Sequence, residues 1–146
     1  MEYIRNKKAS HDYSFESTLE AGIQLLGTEV KSLKANHGSL NGAYVQVLGG
    51  ELYLLGAHIP AWQEKNVSSA YDPYRTRKLL VNKKELYDLL RALSSKGLTV
   101  VPISLYNKGS IVKVQIAIAK GKKNFDKRET LKARDLDREV RRGEAL

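Results

Sequence analysis

Leu98-Thr-Val-Val-Pro-Ile-Ser-Leu-Tyr-Asn-Lys-Gly-Ser-Ile-Val-Lys-Val-Gln-Ile-Ala-Ile-Ala119 reads as a β-hairpin. Leu98 to Tyr106 and Ile111 to Ala119 both alternate apolar with polar or small residues, the period of a half-buried strand. Asn107-Lys108-Gly109-Ser110 joins them as the hairpin loop. The polar face of the second strand includes Lys113. Upstream, Asn82 to Lys96 is the clearest helix. Asn82 is a good N-cap, Leu86, Leu89, Leu90 and Leu93 recur at helical spacing, and Gly97 is a natural stop. That leucine stripe is expected to be core.

Further upstream the period alternates again. Ala43 to Leu48 and Glu51 to Leu55 are strands around the two-residue turn Gly49-Gly50, and a short strand broken by Pro60 is expected over Gly56 to Trp62. Gln63 to Arg77 is polar, contains Asp72-Pro73, and reads as a loop ending in the basic run Arg75-Thr-Arg77-Lys78. Tyr13 to Leu26 has mostly period-two patterning, with a bend near Gly22, and Glu20 is expected on its outer face. The period then changes: Gly27 to Lys34 reads as a short helix with Thr28 as N-cap and Glu29 favoured in its first turn. Val30, Leu33 and Leu40 face the core, Lys31 and Lys34 share the other face, and Asn36 or Gly38 supplies the left-handed stop. Residues 1–12 read as a polar arm. About six strands, one short helix and one longer one suit either a small closed barrel or an α+β sheet; a partly open Greek-key barrel fits the length.

Composition narrows the function. The hydrophobic fraction of 42% is enough for a real core. The net charge is +9, of which the last stretch, from Lys120 to Leu146, carries +4, leaving +5 on the body. A polyanion partner follows: RNA, DNA or an acidic membrane surface. There are no cysteines, hence no disulfide and no thiolate metal site. No apolar run approaches a membrane span, and the N-terminus lacks a signal-peptide core, so a cytoplasmic protein is expected. His11, His37 and His58 have no metal-ligand spacing, and no phosphate-binding glycine loop occurs. Glu20 and Glu29 as an acid/base pair, or His11-Asp12 as a cleaving base, lack a supporting constellation. A binding module without catalytic, metal or cofactor site is the expectation. Its basic clusters are Asn6 to Lys8, Lys31 with Lys34, and Arg75, Arg77 and Lys78. The eight tyrosines include candidates for stacking on bases.

From Lys120 onward ten Lys/Arg face six Asp/Glu, with few large apolar residues. Such a segment cannot offset its ordering entropy alone. A body of residues 1–120 with a basic tail of 121–146 is expected. The tail should be disordered when free and helical from about Asp126 once phosphates neutralise its like-charge pairs.

Six segments in order carry a resemblance: Asn6-Lys-Lys-Ala-Ser-His-Asp-Tyr13, Glu20-Ala-Gly-Ile23, Gly27-Thr-Glu-Val-Lys-Ser-Leu33, Asp72-Pro with Arg75-x-Arg-Lys-Leu-Leu80, Lys96-Gly-Leu-Thr-Val-Val-Pro102, and Lys120-Gly-Lys-Lys with Asp126-Lys-Arg-Glu129. Together they resemble the bacterial family of SsrA-binding proteins (small protein B) over the whole chain. The resemblance implies an antiparallel β-barrel of the oligonucleotide-binding (OB) fold, flanked by helices, that is not an enzyme. It implies binding to the tRNA-like domain of transfer-messenger RNA (SsrA RNA). It also implies delivery of that RNA, with elongation factor Tu and GTP, to the A site of stalled ribosomes for trans-translation. The tail would lie in the empty mRNA channel near the decoding centre. The family's RNA contacts fall on Asn6, Lys7, Glu20, Leu80 and Lys113, and its tail motif on Gly121, Lys122, Lys123, Asp126, Lys127 and Arg128. Lys132 and Arg134 extend the tail's basic surface. Two departures stand out: Lys34 where Arg is common, which loses a planar bidentate phosphate contact, and Asn36-His37 where Gly-Lys is common. A general single-strand-binding barrel and an RNA-processing enzyme are the competing classes.

Overall fold

The computed structural model describes residues 1–62 and 70–122. Its elements in chain order are β1 (Glu2–Arg5), α1 (Lys7–Asp12), β2 (Tyr13–Ile23), α2 (Gly27–Lys34), β3 (Tyr44–Leu48), β4 (Glu51–Leu55), β5 (Arg77–Leu80), α3 (Lys83–Ser94), β6 (Leu98–Lys108) and β7 (Ile111–Gly121). The strands form one antiparallel sheet in the order β1-β6-β7-β2-β5-β4-β3. β3, at one end, also lies against β6 near the other. The sheet therefore curls back on itself as a mainly β, barrel-like OB-type fold, with short helices around it.

Local chemistry explains the elements that were read correctly. Gly49 and Gly50 both adopt positive φ, 59° and 78°, which a two-residue β3–β4 turn requires. In α3, Asn82 Oδ1 accepts from the Glu85 N–H at 2.8 Å while the Glu85 carboxylate accepts from the Asn82 N–H at 3.0 Å, a reciprocal cap. Asn36 takes the left-handed conformation after α2, with φ 61°. The β6–β7 hairpin is tighter than expected. Lys108 pairs with Ile111, so Asn107 and Lys108 belong to the strand and only Gly109-Ser110 turns.

Other expectations are corrected. There are seven strands among the described residues rather than about six. The polar arm is β1 followed by α1, because Tyr3 and Ala9 find apolar partners in the folded chain. The strand expected over Gly56 to Trp62 reduces to one bridge, Ser39 with His58. A strand instead forms at Arg77–Leu80, whose charged start hid it. Thr28 does not cap α2. Leu26 occupies that position, its N–H donates to Glu29 Oε1 at 2.7 Å, and Thr28 Oγ1 instead accepts from the Trp62 N–H at 2.6 Å. Leu90 of α3 is 40% exposed and lies outside the core that Leu89 enters.

The barrel interior holds Leu33, Val45, Leu52, Leu54, Leu79, Val100, Leu105, Val114 and Ile116. A smaller cluster, Ala9, Val101, Ile103, Ala117 and Ala119, forms where α1 covers one end of the outer face of β6 and β7. Among the described residues no helix lies over the polar row of the rest of that outer face, and this part positions the candidate site.

Candidate nucleic-acid interface

Directly opposed residues of an antiparallel ladder project on the same side of the sheet. Tyr106 of β6 opposes Lys113 of β7, Lys113 opposes Gly22 of β2, and Gly22 opposes Leu80 of β5. Their sequence neighbours Leu105, Val114, Ala21 and Leu79 are buried, so this row faces outward. Glu20 lies two residues from Gly22 along β2, on the same side. Glu20, Leu80 and Lys113, which sequence scatters over 93 positions, thus share one surface. Gly22 makes the row compact: a Cβ there would stand 3.2 Å from Leu80 Cβ. Leu80 is 48% exposed, an apolar side chain held out to solvent.

Glu20 accepts hydrogen bonds from the Tyr106 hydroxyl and, at 3.2 Å, from Lys108 Nζ. These bonds, Tyr106's first, hold its carboxyl below the usual range, with the charges of Lys108 and Lys113 adding to them. Tyr106 is pushed up, by burial first and then by its bond to Glu20. An ionised carboxylate has about four acceptor sites, so Glu20 keeps capacity for further donors. RNA offers such donors in 2′-hydroxyls and base amino groups. Sequence reading missed Tyr106 and Lys108 as parts of the site. Counting back from a two-residue Gly109-Ser110 turn would have set Tyr106 opposite Lys113.

α1 borders this same outer face at its other end. Asn6 is buried, and both ends of its side chain are used: Oδ1 accepts from the Ala9 N–H at 3.1 Å and Nδ2 donates to Pro102 O at 3.0 Å. It seats α1 on β6, and the exposed Lys7 is the first residue of that helix. Lys120 is exposed at the end of β7, and Gly121 pairs with Tyr13. The Lys122 N–H donates to Asp12 O at 2.9 Å and its Nζ to Ser10 O at 3.0 Å, tying the end of β7 to α1. Lys123, Asp126, Lys127, Arg128, Lys132 and Arg134 lie outside the described residues.

Of the other basic candidates only Lys78 shares this outer face, two residues from Leu80 along β5. Lys31 and Lys34 are exposed on α2 beside Trp62, while Leu33 between them enters the core. The run Arg75, Arg77 and Lys78 is not one basic face. Arg77 is fully buried, with Nη2 2.6 Å and Nε 3.0 Å from Glu29 Oε2 and Nη1 2.6 Å from Ala57 O. Its guanidinium is inaccessible to RNA, which corrects its assignment as a contact. Arg75, half-buried, also binds Glu29. Glu29 is fully buried; burial raises its pKa, but bonds from Arg75, the Leu26 N–H and Arg77 reverse that and leave the carboxyl below its ordinary value. Lys78, facing out, donates to Glu51 at 3.0 Å.

Among the described residues, no cluster of three or more His, Asp or Glu side chains could hold a metal, and no helix is long and apolar enough to cross a membrane.

Residues 3–145 match a family model described as SmpB protein. The chain is 47% identical over 138 residues to the SsrA-binding protein of Lactobacillus delbrueckii subsp. bulgaricus, covering 94% of this chain and 90% of that relative. It is 50% identical over 137 residues to the SsrA-binding protein of Syntrophotalea carbinolica, covering 94% and 91%. A solved structure described as "tmRNA-SmpB: a journey to the center of the bacterial ribosome" matches with a TM-score of 0.69 at 41% identity, over 88% of this chain and 93% of that one. With the model spanning nearly every residue and the relatives matched almost end to end, the chain belongs to the SmpB protein family.

Proposed function

We propose that this protein binds transfer-messenger RNA and brings it to stalled ribosomes in trans-translation. The observation that carries the reading is the outward row of Glu20, Lys113 and Leu80, found in a chain whose relatives are named SsrA-binding proteins. Lys113 supplies the cation for the RNA backbone, Leu80 an apolar contact, and Glu20 an acceptor for ribose or base donors. Lys7 extends this surface and Asn6 positions it through α1. Lys31, Lys34 and Arg75 add positive charge around it, and Lys78, paired with Glu51, adds a polar contact. The body runs to the end of β7. The basic segment from Gly121 onward, with its Lys122, Lys123, Asp126, Lys127 and Arg128 motif, acts on the ribosome, at the mRNA channel. Elongation factor Tu with GTP is an indirect partner. The protein binds RNA rather than cutting it, and works in the cytoplasm; incubation of the RNA with and without divalent metal should leave it intact.

Glu20→Gln tests the reading, because it makes the protein more basic while removing an acceptor. Specific contact predicts binding of the tRNA-like RNA weakened about tenfold, the size of one charged hydrogen bond. Unspecific attraction predicts tighter binding. Tighter binding by the variant at two salt concentrations would reject the specific site.

A further inference from the structure

The outer face continues beyond Leu80. The Gln24 N–H donates to Lys78 O at 3.0 Å, Lys78 opposes Tyr53, and Tyr53 opposes Gln46. Two residues along, Leu48 opposes Glu51, and the Leu52–Leu79 pair brings Glu51 level with Leu80. The alternate residues Leu52, Leu54 and Leu79 are buried, so Glu51, Tyr53, Lys78 and Leu80 share the outer face.

On that face Glu51 accepts from the Tyr53 hydroxyl at 2.8 Å and from Lys78 Nζ at 3.0 Å. This is Glu20's partner set built a second time: one carboxylate, one tyrosine hydroxyl, one lysine ammonium. The environment acts alike on both. The tyrosine bond first, and the lysine bond next, hold Glu51 below its ordinary value, and Tyr53 is raised by the same contact. The Glu51 side chain is 49% exposed. Leu48 and Leu80, both exposed, stand on either side of it. A groove lined by Gln24, Leu26, Tyr53, Arg75 and Lys78 opens beside it.

We infer that Glu51, Tyr53 and Lys78 form a second nucleotide subsite, which takes an unpaired nucleotide of the same RNA. The inference rests on the RNA-binding reading of the Glu20 row. The triad of one acid, one base and one neutral hydroxyl has no net charge, so it offers little to a bare phosphate. It offers acceptor lone pairs to a base or ribose donor, and the Tyr53 ring with its apolar neighbours to a base face. Two strands and two residues separate Glu20 from Glu51, about 12 Å across the pleat. One base cannot touch both, so the two triads read different nucleotides, with Leu80 between them.

The test uses the full-length protein and a transcript of the tRNA-like domain of transfer-messenger RNA. Glu51→Gln and Tyr53→Leu are compared with Glu20→Gln, and each variant's thermal midpoint verifies folding. Both new variants should weaken binding about five- to tenfold. The slope of affinity against salt should stay unchanged, because no phosphate contact is lost. Nucleotides that lose protection in Glu51→Gln should differ from those that lose it in Glu20→Gln. If Glu20→Gln weakens binding while Glu51→Gln and Tyr53→Leu bind like the parent, the second subsite is wrong and the RNA reading stands. Tighter binding by Glu51→Gln also overturns it. If all three bind like the parent, both readings fall.

Discussion

Replacing Glu29 by glutamine should unfold this protein more readily than any exposed charge change, because Glu29 is fully buried. Its carboxylate is 0% exposed and pairs with an Arg77 side chain that is also 0% exposed. It further accepts from Arg75 Nε at 2.9 Å, the Tyr71 hydroxyl at 3.0 Å and the Leu26 N–H at 2.7 Å. Glutamine keeps the shape but removes the charge, leaving the Arg77 guanidinium with neutral acceptors alone, among them the carbonyls of Ala57 and Pro73 and the Tyr71 hydroxyl. Removing one member of a buried pair costs about 3–5 kcal/mol. At about 4 °C per kcal/mol for a domain of this size, the thermal midpoint should drop by about 12–20 °C. The pH dependence provides a second reading. Glu29's folded pKa lies below its ordinary 4.5. A lowered carboxylate pKa contributes stability that is fully present above the unfolded value and is lost as pH falls through the folded one. The difference between parent and Glu29→Gln should therefore stay constant from about pH 8 to 5 and narrow below that. Replacing both partners, Glu29→Gln with Arg77→Met, should cost less than Glu29→Gln alone, since the charge left without its partner is then only that of Arg75, which reaches solvent. Urea unfolding followed by circular dichroism measures all three. A loss below about 1 kcal/mol for the single variant, the level of an exposed pair, would refute the reasoning.

Three further outcomes follow from the site. Gly22→Ala places a Cβ 3.2 Å from Leu80 Cβ, so β2 and β5 must part slightly; stability should fall by about 1–3 kcal/mol and RNA affinity with it, read by unfolding and binding on one preparation. Asn6→Ala removes the α1 cap and the bond to Pro102 O. It should cost about 1–2 kcal/mol, and faster amide exchange confined to α1 would locate the loss. Ending the chain after Lys122 keeps the bonds from Lys122 to α1. This truncation should bind the tRNA-like RNA within about tenfold of the full chain yet fail to tag stalled nascent chains; normal tagging would contradict a ribosomal role for the removed segment.

What the sequence by itself determined was what a few consecutive residues can express. Asn82 with Glu85 announces a helix start because both halves of the cap lie within one turn. Gly49-Gly50 announces a turn because only glycine takes both positive φ values freely. The six short segments, each weak alone, were enough in order to point to the family. Tertiary structure decided which charges are surface and which are core. Arg75, Arg77 and Lys78 look alike in the sequence, yet Arg77 is sunk against a glutamate 48 positions earlier and Lys78 faces out. Strand alternation sends neighbours to opposite sides, but only the partner across the barrel fixes which side is inside. Likewise Glu20 finds Tyr106 across 86 residues, through the registers of β2 on β7 and β7 on β6. No local pattern encodes that distance; it exists only once β2 has paired with the β6–β7 hairpin.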